Sequence, residues 1–380
     1  MIIRREDLQD ICGKILFAVD STEVSTINET LELKTVGSDL FVNVSNRDYY
    51  AQVKVDIGEV TDFHATVNAT LFLKLVSQFT TDTIELYTKD NALYIKADGN
   101  YKIPLIYDGS ELLELPEIKM ENVTEEFDID SSILQSIFKY NTKQIQSATV
   151  IANPVQQYYY VDNKGAITFT TGACVNNFEL DGHASFLLNM KIVKLFRLFK
   201  DGKVKFSIGH SAVDETTVRT KVKFETDTVS ITAILPIDEN LINSVPVNNI
   251  RGVASFNYPH SIVVNRENLI KSTNRLLLFN ERGVITKPYG NFEFYDDHFS
   301  VSDYDNINTE KVNYENEVSS LDSELAEPSY TAVLDLKDVK MTLEGCSDQT
   351  VTLNFGNGKA FVIVRGNISN VIPEVKVRVN

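Results

Sequence analysis

A repeated pattern constrains this fold more than any other feature of the sequence: a short amphipathic helix followed by alternating strand segments. It is clearest in NATLFLKLVSQF, which begins at Asn68, and in NMKIVKLFRLFK, which begins at Asn189. In both segments apolar residues recur at helical spacing behind an Asn that suits a helix cap. A weaker third copy, DLKDVKMTLEG, begins at Asp335. Because one such unit cannot bury its own apolar face, a chain that repeats it must stack the copies.

After each of these helices the apolar period changes from 3.6 to 2, which predicts paired strands. The segments are TIELYTKDNALYIKA, VKFSIGHSAV and TVTLNFGNGKAFVIV, the last with a hairpin turn at Asn357-Gly358. Each third of the chain also opens with a helix, predicted at 4–18, 131–143 and 265–279. A chain of 380 residues is long enough for several cores. We therefore predict an α+β fold of three tandem domains, each a duplicated helix-and-strand unit, with boundaries 1–122, 123–247 and 248–380.

Charge is distributed unevenly along the chain. With 36 Lys and Arg against 53 Asp and Glu, the net charge is −17, which by itself argues against a nucleic-acid partner. The six predicted helices nevertheless hold 15 basic and 7 acidic residues, a net charge of +8. The strongest series, Lys191, Lys194, Arg197 and Lys200, contains no acid. A single Lys of this kind is an ordinary solvated residue, but the shared bias indicates a cationic helical surface.

Sequence motifs for catalysis and metal binding are missing. There is no phosphate-binding loop, dinucleotide-binding glycine pattern, zinc-protease motif or nucleophile elbow. Cys12, Cys174 and Cys346 are too few and too scattered for a metal site or a disulfide framework, and they fit a reducing cytosol. We therefore expect no enzyme activity, no cofactor and no metal. The charged N-terminus and the lack of a long apolar run predict a cytoplasmic protein without a membrane partner.

The order and spacing of several segments resemble one known family. They are Ile11-Cys12-Gly13-Lys14, the helices that begin at Asn68 and Asn189, Leu277-Leu278, and AFVIV near the C-terminus. Together they resemble the bacterial DNA polymerase III beta subunit, the sliding clamp. The resemblance implies a head-to-tail homodimer, in which six domains form a ring with helices around duplex DNA and sheets outside. It also implies a DNA polymerase and a clamp loader as partners, and a role in processivity without catalysis.

The resemblance assigns residues to three sites. The cations expected to face DNA, without sequence preference, are Lys14, Lys74, Lys139, Lys191, Lys194, Arg197, Lys200, Lys271 and Arg275. The dimer interface is expected to hold Ile103 and Leu105 from one chain and Leu277 and Leu278 from the other. A cleft for partner peptides is expected to be walled by Gly172, Ala173, Cys174, Val175, Leu241, Ile242, Val245, Val362, Ile363 and Val364. Each of these apolar residues could equally be ordinary core.

Two departures from the family leave the partner cleft open to question. Where the family has a TDGHRL-like stretch, this chain reads TGACVN from Thr171, and beyond Val364 it continues with RGNISNVIPEVKVRVN. The cleft is therefore expected to have a different wall, and the additional segment either covers the groove or adds a strand beside it. Such divergence would suit a bacteriophage-encoded clamp. The alternative from another class is an acidic α+β structural or interaction protein with no role on DNA.

Overall fold

The computed structural model describes residues 1–19, 25–146, 153–212, 218–236, 239–281, 287–315, 328–344 and 348–376. Cys346 and the C-terminal residues 377–380 lie outside these ranges. Within them the chain is α+β, as the sequence predicts, and one β-α-β-β-β unit occurs six times. We number these units copies 1 to 6 in chain order.

Copies 1 and 2 occupy the first part of the chain. Copy 1 contains β1 (Ile2–Arg4), α1 (Arg5–Ile15), β2 (Thr30–Val36), β3 (Asp39–Ser45) and β4 (Tyr49–Asp56). Copy 2 contains β5 (His64–Asn68), α2 (Ala69–Val76), β6 (Thr83–Lys89), β7 (Ala92–Lys96) and β8 (Asn100–Pro104). A small hairpin of β9 (Tyr107–Asp108) and β10 (Glu111–Leu112) follows.

Copies 3 and 4 follow the same plan. Copy 3 contains β11 (Val123–Asp130), α3 (Ser131–Ser136), a π-helical turn (Ile137–Asn141), α4 (Thr142–Gln146), β12 (Tyr158–Asp162), β13 (Gly165–Phe169) and β14 (Ala173–Asn177). Copy 4 contains β15 (Phe186–Asn189), α5 (Met190–Leu195), β16 (Lys203–Ala212), β17 (Val218–Glu225) and β18 (Val229–Ile234). Two connecting helices, α6 (Glu239–Asn243) and α7 (Val247–Ala254), follow.

Copies 5 and 6 complete the series. Copy 5 contains β19 (His260–Asn265), α8 (Arg266–Glu281), β20 (Tyr289–Phe294), β21 (His298–Asp303) and β22 (Thr309–Asn313). Copy 6 contains β23 (Tyr330–Asp335), α9 (Leu336–Leu343), β24 (Thr350–Phe355), β25 (Ala360–Arg365) and β26 (Ile368–Pro373).

The helix caps predicted from the sequence are confirmed. The side chain of Asn68 accepts a hydrogen bond from the Leu71 backbone N–H at 2.9 Å, at the start of α2. Asn189 caps α5 in the same way, and Asp335 accepts from the Lys337 N–H at the start of α9. These local bonds satisfy backbone donors that the first helical turn leaves free, so each of the three repeats begins its helix where the sequence pattern indicates.

The chain packs as two compact units, which do not coincide with the three predicted domains. Unit 1 comprises residues 1–135 and 188–237, and unit 2 comprises residues 136–187 and 238–380. Unit 1 contains the sheets β1-β6-β7-β8 and β11-β16-β17-β18-β4-β3-β2-β5. Unit 2 contains the sheets β15-β12-β13-β14-β26-β25-β24-β19 and β22-β21-β20-β23. The units follow these sheets and not the sequence repeat, so the three-domain division stays a prediction.

Two rules of strand pairing organise these sheets. Copies 1 and 2, copies 3 and 4, and copies 5 and 6 exchange their first strands. For example, β1 of copy 1 pairs with β6 of copy 2, and β5 of copy 2 pairs with β2 of copy 1. The last strands of four copies pair with one another: β4 with β18 in unit 1, and β14 with β26 in unit 2, both antiparallel. We call these two junctions the unit 1 seam and the unit 2 seam.

The segment after Val364, which the sequence leaves as a cover or an added strand, is a strand. It forms β26, which pairs with β25 on one side and with β14 on the other. It is the third strand that each of the other five described copies also has after its helix. Consequently β26, and not β25, lies beside the segment that replaces the TDGHRL-like stretch.

Candidate nucleic-acid and partner-binding sites

The predicted DNA-facing cations are distributed over the helices of both units, and they fall into two groups. Four are exposed and form no ion pair with any described residue: Lys74, Lys139, Lys194 and Lys200. Lys139 Nζ also lies 5.0 Å from the ring centroid of Tyr140, a contact that does not neutralise its charge. The other five cations lie close to a carboxylate or, for Arg197, to an aromatic ring. Because no described acid neutralises the first group, its charge stays available to a phosphate backbone.

Four predicted cations are instead ion-paired within their own unit. The pairs are Lys14 with Asp10 at 2.6 Å, Lys191 with Asp48 at 3.4 Å, Lys271 with Glu267 at 2.7 Å, and Arg275 with Glu310 at 2.5 Å. The Arg275 pair has two bonds, from Nε and Nη2 to the two carboxylate oxygens, and its acid lies on β22. The hydrogen bond from Arg275 lowers the pKa of Glu310. Sequence spacing could reveal only the two i,i+4 pairs.

Arg197 has a distinct environment. Its guanidinium lies 4.2 Å from the ring centroid of Phe17, and its Nε donates to the Lys194 carbonyl at 3.2 Å. Burial lowers the pKa of Arg197. The contact joins the helical regions of copies 4 and 1 across the unit 1 seam.

An apolar cluster covers one face of the copy 3 sheet in unit 2. Its buried members are Val155, Tyr160, Ile167, Val175, Leu187 and Val245. Leu241, Ile242, Val247 and Ile250, from α6, α7 and the turn between them, are partly buried against it. We call this the outer cluster. Of the predicted cleft residues, it unites Val175, Leu241, Ile242 and Val245.

Other predicted cleft residues do not reach the outer cluster. Cys174 alternates with Val175 along β14 and is fully buried on the opposite face, where burial raises the pKa of its thiol to about 12. Ile363 belongs to the separate core of copies 5 and 6. Val362 is fully buried, and Val364 is half-buried on β25, which is one strand further from β14. These positions therefore support the sheet and do not wall a groove beside β14.

The strand next to β14 is β26, and not β25 as the predicted cleft residues would require. Val371 pairs with Ala173, and a side chain at Gly172 would lie 2.4 Å from the Val371 carbonyl and 3.5 Å from Pro373 Cδ. Sequence reasoning leaves the segment with Val371 and Pro373 as a cover or an added strand and does not include these two residues among the cleft walls, although a signal was present. The closing tetrapeptide Ile372-Pro373-Glu374-Val375 repeats Leu115-Pro116-Glu117-Ile118 in an earlier repeat.

A salt bridge fastens α7 next to the outer cluster. Arg251 donates from Nη1 and Nη2 to the two carboxylate oxygens of Asp162 on β12, both at 2.7 Å. Burial alone would raise the pKa of Asp162, but the hydrogen bonds from Arg251 and from the Lys164 backbone N–H outweigh it, and the pKa is lowered. A bidentate pair of this kind fixes orientation as well as distance. It holds the connecting helix against the sheet that carries Val175.

The predicted dimer residues differ in exposure. Leu278 on α8 is 55% exposed, whereas its neighbour Leu277 is 4% exposed and belongs to the core of copies 5 and 6. Ile103 is buried inside copy 2, and Leu105 is half-buried just after β8. Both β8 and β22 lie at the end of a sheet without a second neighbouring strand. The structure thus leaves Leu278 and two strand edges open, and it buries Leu277 and Ile103.

The fold has close counterparts among solved structures, although the sequence does not. No family model and no curated protein matches this chain. A DnaN sliding clamp, or DNA polymerase III subunit beta, from Pseudomonas aeruginosa has a TM-score of 0.76 at 12% identity, with 99% of each chain covered. The DNA polymerase III beta subunit from Thermotoga maritima has a TM-score of 0.75 at 14% identity, again over 99% of each chain. The chain adopts the fold of the DNA polymerase III beta subunits.

A beta subunit from Streptococcus pyogenes gives the same result, with a TM-score of 0.76, 14% identity and 99% of both chains covered. The described residues contain no cluster of three metal-ligating side chains. Nor does any described helix have the length and apolar character needed to span a membrane.

We predict that Arg251→Met will destabilise the protein by about 2 kcal/mol at pH 7, because it leaves the buried Asp162 carboxylate without its partner. The folded-state pKa of Asp162 is lowered, so its contribution is complete above the unfolded-state pKa of about 3.9 and is lost as the pH falls through the folded-state value. Urea denaturation of both proteins at several pH values measures this.

The double variant Asp162→Asn/Arg251→Met is the control for that experiment. It removes both charges and should recover part of the loss at pH 7. A difference between wild type and Arg251→Met that stays constant down to pH 3 would contradict the assignment.

Proposed function

We propose that this protein is a DNA sliding clamp: a ring that encircles duplex DNA and tethers a replicative polymerase, with no catalysis of its own. The observation that carries the proposal is a beta-subunit fold over 99% of the chain and 99% of the compared chains. A closed ring needs no sequence-specific contact. It has to be wide enough to slide and cationic enough inside to tolerate phosphates, and tethering then raises the local concentration of polymerase.

Strand pairing supports a homodimer as the closed form. Copies 1 and 4 are joined through β4 and β18, and copies 3 and 6 through β14 and β26. The last strands of copies 2 and 5, β8 and β22, are the pair that remains. Unpaired edges with free N–H and C=O groups invite another strand. By the same rule, β8 of one chain pairs with β22 of a second chain, and two such pairings close a ring.

Side-chain exposure supports the same pairing. In copy 4, Ile192 on α5 is fully buried, and α5 packs on the 16–18 turn of copy 1. Its counterpart on α2 of copy 2, three residues after the cap, is Leu71, which is 50% exposed. On α8 of copy 5, Leu278 and Phe279 are exposed as well. We infer that α2 and α8 bury these apolar side chains against each other across the dimer interface, as Ile192 is buried within unit 1.

The charge pattern is the second support. Lys74, Lys139, Lys194 and Lys200 lie on or beside helices and form no ion pair with a described residue, in a chain of net charge −17. Cations on the helices would face the phosphates of threaded DNA, while the acidic remainder would repel DNA that is not threaded. An acidic structural protein without a role on DNA, the alternative, gives no reason for this separation.

The outer cluster and β26 are the proposed site for partner peptides. A clamp loader and a polymerase both have to grip the ring, and a short apolar peptide motif in a groove is an economical way to do so. The groove would run along Val175, Leu241 and Ile242 on one side, and Val371 and Pro373 on the other.

Topological binding is the direct test of the clamp function. We expect the protein to thread onto a linear duplex with biotinylated ends, and to stay on it once streptavidin blocks both ends. Cutting the duplex with a restriction enzyme should then release it, because nothing but the closed ring holds it. Pull-down of the DNA measures retention. A covalently closed circle of the same sequence should capture no protein without a loader. Equal binding to both substrates, unaffected by cutting, would contradict encirclement.

The dimer interface is tested by Leu278→Asp. The new carboxylate would be buried between chains, so we expect a folded monomer by analytical ultracentrifugation, with the circular dichroism spectrum of the wild-type dimer. Val60→Asp is the matched control, because Val60 is an even more exposed apolar residue, at 84%, in a loop of copy 1. A dimeric Leu278→Asp protein, or a monomeric Val60→Asp protein, would refute this interface.

The inner cations are tested by changing Lys74, Lys139, Lys194 and Lys200 to Gln together. Each phosphate contact contributes about −0.9 to the slope of log affinity against log salt, so the slope should become shallower by up to about 3 to 4. Initial capture by the linear duplex, measured over a series of salt concentrations, gives the slope. Four exposed lysines of the sheets and their turns serve as controls: Lys89, Lys96, Lys205 and Lys359. An equal change of the salt slope in both quadruple variants would contradict the assignment of Lys74, Lys139, Lys194 and Lys200 to the DNA-facing surface.

A further inference from the structure

The two seams are related by the internal repeat, yet they are built from different chemistry. In unit 1 the buried side of the seam pairs apolar residues throughout: Val53 with Val229, Ala51 with Ile231, and Tyr49 with Ala233. All six are no more than 4% exposed. Burial of this kind stabilises a junction in proportion to the apolar area removed from water.

Both faces of the unit 2 seam are buried, and the face toward the helices is largely polar. Cys174 pairs there with Asn370, and Asn176 with Ile368. Both asparagines are at least 98% buried. Asn370 occupies the position in copy 6 that Ile231 occupies in copy 4, since each is the third residue of its strand and pairs with an apolar residue of the preceding strand, Ile363 or Phe224. A buried amide stabilises little even when its hydrogen bonds are made, whereas the isoleucine it replaces adds apolar burial.

The π-helical turn of copy 3 extends this polar layer. It ends at Asn141, which is fully buried, and places the Asn141 Nδ2 above the sheet. That nitrogen has three acceptors, the Ala166 carbonyl, Thr168 Oγ1 and the Cys174 carbonyl, but all lie at 3.3 to 3.4 Å. Such distances exceed the usual 2.7 to 3.2 Å, so the amide is held by several weak bonds. Turns of this type often occur where a helix has a functional role.

Burial of Arg365 disfavours the paired state of β14 and β26. It is 5% exposed at the end of β25, in the row that continues through Ile368 to Asn176. Its Nη2 donates to Asn370 Oδ1 at 3.0 Å, and its guanidinium lies 4.7 Å from the Tyr140 ring centroid. Its Nε and Nη1 have no hydrogen-bond partner, and it forms no ion pair with any described residue. A buried guanidinium without a carboxylate disfavours the closed state, because water would solvate it better.

We propose that the unit 2 seam is a built-in hinge: β14 and β26 separate locally in the folded protein while β4 and β18 stay paired. The polar layer gives the helix-facing side of the closed seam little apolar stabilisation, and opening hydrates Arg365. In a clamp, a role that rests on the proposed function, this is the junction through which each chain would bend.

Hydrogen exchange measured by mass spectrometry tests the hinge on the intact protein without DNA. The amides of 173–177 and 368–373 should exchange at least about tenfold faster than those of 49–53 and 229–233, because local opening and not global unfolding exposes them. Equal protection of the two seams, or slower exchange in unit 2, would overturn the proposal. The measurement does not depend on DNA binding, so it tests the hinge independently of the clamp function.

A reciprocal pair of variants identifies the cause. Arg365→Met/Asn370→Ile replaces two members of the polar layer with apolar side chains and keeps Asn141 and Asn176, and exchange at 173–177 and 368–373 should slow about fivefold or more. Ile231→Asn does the reverse and should speed exchange at 49–53 and 229–233 without affecting the unit 2 seam. If Ile231→Asn does not fold, the first variant still decides the matter. Unchanged exchange in Arg365→Met/Asn370→Ile would show that the polar layer is not the cause.

Discussion

Backbone hydrogen bonding between the last strands of different copies is the interaction on which the rest of this structure depends. A strand at the end of a sheet has N–H and C=O groups without partners, and each copy of the repeat ends in such a strand. Two pairings, β4 with β18 and β14 with β26, satisfy four of the six within the described chain. They merge half-sheets into sheets of eight strands, and they leave β8 and β22 as the edges available to a second chain.

The same pairing sets the chemistry of each surface. Because side chains alternate along a strand, joining β14 to β26 puts Val175 with the apolar outer cluster and Cys174 in the polar layer beneath the helices. The proposed partner groove and the proposed hinge thus share one pair of strands. A peptide that bound along Val175 and Val371 would contact both sides of the seam and would resist its opening.

The sequence predicted more of the fold than of the sites. Helix starts at Asn68, Asn189 and Asp335 depend on local hydrogen bonds, and these are confirmed. The cleft residues depend on strand order and on the face each residue takes, where a shift of one position reverses the outcome. The prediction includes Ile363 in the cleft with the rest of AFVIV, whereas Ile363 lies in the core of copies 5 and 6. Counting three strands after every helix would have identified Ile368–Pro373 instead.

By itself the sequence determined what local physics controls: the repeat, the helix caps, the strand periods, and the excess of cations on helices over an acidic remainder. Among the described residues, tertiary structure alone decided which strands meet, which cations have no acid beside them, and that Arg365 is buried without a carboxylate partner. The physical reason is that these properties depend on residues far apart in the chain. Arg275, for example, is paired by Glu310, 35 positions away, and no spacing along one helix can reveal that contact.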